Sequence, residues 1–160
     1  VIYEIHLYVP KRGQLTPAAL EWLFSNGQRT DAPEVLWPVY KLRPRALARL
    51  LIRFDPALIP VPSAGADVEL HYPDERLGIV AYTHDRGVIL FFPFMVYGVY
   101  SRVVLGIVYT YIRYLYDTLG FWSYDPQLDL ISFADDYLTL EEIALRMDTV
   151  IPKQLSSGGE

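Results

Sequence analysis

The stretch from Asp67 to Asp129 constrains this chain most, because it orders its apolar residues as strand, strand, long helix and closing strand before the tetrapeptide Tyr124-Asp125-Pro126-Gln127. So much Val, Ile, Leu, Phe and Tyr in one continuous region describes a buried core. A core specifies a fold without naming a reaction.

Alternation in the first strand sets Tyr3, Ile5, Leu7 and Val9 on one face and Ile2, Glu4, His6 and Tyr8 on the other, the period of a half-buried strand. Pro10-Lys11-Arg12-Gly13 turns the chain. Thr16-Pro17 then offers an N-cap and a proline at the first helical position, and Asn26-Gly27 stops that helix. Leu20, Leu23 and Phe24 form its apolar stripe. The segment from Gln28 to Tyr40, with Pro33 and Pro38, reads as irregular.

Pro44 opens a second helix through Phe54, with Leu47, Leu50, Leu51 and Phe54 on one side. Arg45, Arg49 and Arg53 repeat every four residues on the other, as a solvated face does. Three prolines between Asp55 and Gly65 make that segment a surface loop. Val68 to Tyr72 and Gly78 to Thr83 read as strands, and His84-Asp85-Arg86-Gly87 as the turn into Val88 to Phe94. The run Val88-Ile89-Leu90-Phe91-Phe92 lacks alternation, which predicts a central strand covered on both faces.

A helix from Val99 to Leu119 has apolar residues on two flanks, so packing on more than one side is expected. Gly106 would let it approach the sheet or another helix closely. Gly120 ends it, and Phe121-Trp122-Ser123-Tyr124 returns as a strand that Leu128 to Ile131 can extend. Thr139-Leu140-Glu141-Glu142 is a capping box for a last short helix. The pattern predicts one α+β domain over residues 1–150, a mainly antiparallel sheet with helices on one face in a ferredoxin-like or related two-layer sandwich. Residues 151–160 read as a mobile tail.

Composition narrows the function classes. The net charge of −5 and the absence of a dense basic cluster argue against nucleic acid as a partner. Without cysteine, thiolate metal sites, disulfides and cysteine nucleophiles drop out, and a cytoplasmic location is favoured. The first residues lack the features of a secretory signal. Pro93, Arg102 and Arg113 break the apolar run that a transmembrane segment needs, and no basic amphipathic face accompanies the aromatic residues near Phe91 to Tyr100 that could meet a membrane surface. No Gly-x-Ser-x-Gly elbow or phosphate-cradling loop occurs, so a non-catalytic protein that requires no cofactor is the expectation.

Two constellations remain. Glu4 and His6 share one face of the first strand, as Glu69 and His71 share one face of another. If those strands were neighbours, the four could hold a divalent metal or form a small ligand-binding or enzymatic site, although such groups are also ordinary on the less apolar face of a sheet. The acidic group Asp135, Asp136, Glu141 and Glu142 reads as a solvated loop and helix start. The second constellation is aromatic. Of thirteen tyrosines, Tyr100, Tyr109, Tyr111 and Tyr116 crowd the long helix with Tyr114, more than one helix can bury. Tyrosine favours protein interfaces because its ring is apolar and its hydroxyl bonds, so these residues are the predicted contacts with another protein or a second copy.

The residues Tyr3-Glu4-Ile5-His6-Leu7, Val68-Glu69-Leu70, Phe91-Phe92-Pro93-Phe94, Leu119-Gly120-Phe121 and Tyr124-Asp125-Pro126-Gln127 resemble a small bacterial family of unknown function. Its members begin with a Ser-Tyr-Asp-Leu-Tyr-like strand and end in Tyr-Asp-Pro-Gln. Glu4 stands where that pattern has Asp. The resemblance implies a single α+β domain of unknown function, immunity- or adaptor-like to the extent that some relatives resemble proteins that guard against or bind other bacterial proteins. It assigns no catalytic residue.

Overall fold

The computed structural model describes residues 2–26, 31–63, 65–93 and 99–132, with side chains in the last stretch from Arg102 onward. The acidic group at 135–142, the capping box and the tail over 151–160 lie outside the described residues. The element order is β1 (Ile2–Tyr8), α1 (Pro17–Asn26), a 3-10 turn (Glu34–Leu36), α2 (Pro44–Phe54), β2 (Ile59–Pro62), β3 (Val68–His71), β4 (Val80–His84), β5 (Gly87–Pro93), α3 (Val99–Leu119), β6 (Trp122–Asp125) and β7 (Leu130–Ser132).

The seven strands form one sheet in the order β2-β3-β4-β5-β1-β6-β7, and every neighbouring pair is antiparallel. The inner strands β4-β5-β1-β6, with α2 and α3 on one face, have the ferredoxin-like strand order, and β3, β2 and β7 widen it. The chain is therefore α+β, as its apolar periodicities predict.

Register explains where the core sits. Ile5 lies opposite Leu90, Leu90 opposite Ala81, and Ala81 opposite Leu70, an apolar row across four strands. Leu47 and Leu51 of α2, and Val104, Val108 and Leu115 of α3, bury against the same cluster. Residues of opposite parity face the other way, and there Tyr8, Trp122 and Tyr124 gather with Leu20 and Leu23 of α1, Trp37 and Val39. The first helix thus covers part of the face opposite α2 and α3.

Local chemistry places the ends. The Thr16 hydroxyl caps α1 by accepting from the Ala19 N–H at 3.1 Å. Pro44 begins α2. Gly120, at φ 73°, closes α3 with its N–H donating to the Tyr116 carbonyl at 2.9 Å, a left-handed cap that costs glycine little.

Two expectations change. The proline-rich segment after Asp55 is not all loop, because Ile59–Pro62 pairs with β3 as the outermost strand. The Ser63 N–H donates to the Asp67 carbonyl, so the odd positions face the ladder and Pro60 and Pro62 turn their missing donors outward. The other concerns β5, central in the sheet yet not covered on both faces. Val88, Leu90 and Phe92 are buried, whereas Ile89 and Phe91 stay half-buried.

Candidate protein-contact site

The Glu/His constellation divides in two. Strands β4 and β5 lie between β1 and β3, which sets the pairs about 14 Å apart at ordinary strand spacing. Glu4 Oε1 meets His6 Nε2 at 3.1 Å, and Glu69 Oε2 meets His71 Nε2 at 3.0 Å. Each is a hydrogen-bond contact between next-nearest residues on one strand face. His6 is buried under α1, its ring edge-on to Phe24 with centroids 5.3 Å apart and its Nδ1 3.4 Å from the Tyr8 hydroxyl. The neighbouring-strand condition for a shared metal site on Glu4, His6, Glu69 and His71 is not met. Among the described residues no group of three or more His, Cys, Asp or Glu is placed to hold a metal ion.

The Tyr-Asp-Pro-Gln motif is structural. Asp125 accepts the Tyr3 hydroxyl on one carboxylate oxygen and the Leu128 N–H at 3.1 Å on the other. Gln127 Oε1 accepts the Glu4 N–H at 3.2 Å. Together these bonds fasten the β6–β7 turn onto β1. Burial pushes the Asp125 carboxyl up to about 6, against the opposing pull of the Tyr3 hydroxyl and the backbone N–H groups. Burial and the adjoining carboxylate raise the Tyr3 phenol further still.

Sequence reading missed one constellation, centred on Arg86 in the β4–β5 turn. The guanidinium is buried, meets Glu34 through two bonds of 2.9 and 2.6 Å, donates to the Val39 carbonyl at 3.4 Å and lies 3.7 Å over the Trp37 ring. The Arg86 hydrogen bonds and the Lys11 ammonium hold the half-exposed Glu34 carboxyl down to about 2. Glu34 and Trp37 lie in a segment without periodicity, so only the coordinates connect them to Arg86. Next to it, burial lowers the His84 pKa, and His84 Nδ1 accepts the Arg86 N–H at 3.2 Å.

The tyrosines of α3 separate by helix face. Tyr111 is 2 % exposed and donates to Asp55 at 2.5 Å, so it is a core residue and cannot meet a partner. Tyr109 and Tyr116 are half-buried along one flank, and the Tyr100 side chain lies outside the described residues. Tyr114 stacks on Phe54 of α2, ring centroids 4.3 Å apart. Between the flanks runs a shallow furrow made of two adjoining depressions of about 430 and about 410 Å³. Both include Phe54, Gly106 and Thr110. Phe54 and Val103 remain 40 % and 46 % exposed there, with Arg102 at one end and Arg113 and Asp117, 3.1 Å apart, at the other.

A second groove of about 440 Å³ separates α1 from the β6–β7 turn, and a smaller one of about 290 Å³ opens over Val80, Tyr82 and Phe91. Neither brings an acid and a base together over an apolar floor as a hydrolytic site does. The arginines of α2 point into solvent. Among the described residues no helix is long and apolar enough to cross a membrane. No protein-family model matches the chain, and neither a curated protein nor a solved structure matches it.

Proposed function

We propose that this chain is a non-catalytic protein-contact module, binding another protein or a second copy of itself through the outer surface of α3 and the end of α2. The observation that carries this reading is the furrow, where Phe54 and Val103 stay open to water beside aromatic flanks that combine apolar area with hydroxyl groups. The other polar clusters have structural work: Asp125 holds Tyr3, Asp55 holds Tyr111, and, on the opposite sheet face, Arg86 holds Glu34. The resemblance to a bacterial family, some of whose relatives resemble proteins that guard against or bind other bacterial proteins, supports the same reading.

A photo-crosslinking amino acid placed at Thr110, in the furrow, tests it in cells of the source organism. A discrete crosslinked protein, identified by mass spectrometry and lost with V103D, is the expected result. No crosslinked species, together with a single-chain mass in solution, would remove the reading.

A further inference from the structure

Gly106 has no explanation among the described residues of one chain. It sits in the middle of the 21-residue α3, where glycine costs about 1 kcal/mol relative to alanine. A Cβ built there would meet nothing within 4 Å, so neither the sheet nor another described element needs the position bare. It lies on a line of outward residues, Val103, Gly106, Thr110, Arg113 and Asp117. Their spacing alternates three and four, the repeat of a seam between two packed helices.

We propose that this seam packs antiparallel against the α3 of a second copy of the chain, the two helices crossing beside Thr110 with Gly106 one turn away. The inference rests on the contact reading above and names its partner. Charge selects the orientation. With a twofold axis between Tyr109 and Thr110, Arg102 of each copy meets Asp117 of the other, and Arg113 lies over the other copy's Gly106. A parallel pairing would set Arg102 against Arg102 and Arg113 against Arg113. Arg102 has no salt-bridge partner among the described residues, and Asp117, which holds Arg113 through Oδ2, keeps its other carboxylate oxygen for a second cation.

The bare Cα at Gly106 admits the opposing helix closely, as small residues do at helix crossings. The helix is about 31 Å long, and Phe54 and Tyr114 on one flank with Tyr109 and Tyr116 on the other widen the contact. The exposed ion pairs set orientation more than affinity.

Sedimentation equilibrium up to about 100 µM on the full chain, with far-UV circular dichroism in parallel, tests the proposal. The wild type is expected to dimerise. G106L should be monomeric with its helix signal intact, because a Cβ there meets nothing within 4 Å among the described residues and the longer chain extends into the open furrow. R102E and D117R should each weaken the dimer several-fold, and R102E/D117R should recover it. A wild-type monomer throughout the range, a G106L dimer as tight as wild type, or charge swaps without rescue would each overturn the second-copy inference. The Thr110 crosslinker then separates the two levels of reading. Capture of a different protein, abolished by V103D, leaves the contact module standing without the self-pairing, whereas a monomer with no crosslink removes both.

Discussion

Tyr3 and Asp125, 122 residues apart in sequence, share a hydrogen bond on the sheet face beneath α3. The bond joins the first strand to the turn that follows β6, and both groups are buried. Y3F removes the donor and leaves one carboxylate oxygen without it, so a loss of about 1–3 kcal/mol is expected. Urea unfolding followed by tryptophan fluorescence measures it, and an unchanged midpoint would show that the bond contributes nothing net.

The same carboxyl gives the fold a pH dependence. Its folded pKa of about 6 lies above the ordinary aspartate value, so the folded state binds the proton more tightly than the unfolded chain. This contribution is complete below the unfolded pKa and is lost as pH rises through the folded value. Stability should therefore decline between about pH 4 and pH 6 on account of Asp125. D125N should flatten that limb when unfolding free energy is compared across the window. An identical slope in both proteins would contradict the assignment.

Gly87 offers a steric test. A Cβ there would fall 2.0 Å from the Leu7 carbonyl oxygen, a backbone atom in the paired strand β1 that cannot turn aside. G87A should separate β5 from β1 and cost more than about 3 kcal/mol. Thermal unfolding decides it; a G87A protein melting with the wild type would mean the strands are not so close.

Removing the Arg86 fork should matter more than its position in a turn suggests. R86A deletes the bonds to Glu34 and Val39 and uncovers the Trp37 ring, for an expected loss of about 2–3 kcal/mol. R86K keeps the charge but loses the planar fork and should recover only part of it. A red-shifted, more quenchable Trp37 emission is the accompanying signature. Because Glu34 has a depressed pKa, its share of the stability is present above the unfolded value and fades as pH falls toward about 2. Solvent screening of the half-exposed carboxylate keeps that share small.

Strong periodicity was readable and weak periodicity was not. The alternation of Tyr3, Ile5 and Leu7, the Thr16-Pro17 start of α1, the Pro44 start of α2 and the Gly120 stop of α3 all correspond to what the coordinates contain. The edge strand Ile59–Pro62 escaped because Pro60 and Pro62 are usual loop signals, and only its outermost place in the sheet makes them tolerable. Which sheet face α1 takes is invisible in a stripe of Leu20 and Leu23, since both faces of β1 are partly apolar. The candidate sites were hidden for the same reason. Two Glu-His pairs with matching spacing carry no signal of how many strands lie between them. Tyr111 and Tyr109, two residues apart, differ in burial through helix rotation against Asp55 and the sheet.

The outward prolines of β2 have a consequence for how this molecule can be joined. A backbone that lacks donors along its free margin cannot template another strand, so the sheet is closed to growth there. Association at that margin would have to depend on side-chain fit, which leaves specificity to rings and charges and guards against fibre-like stacking.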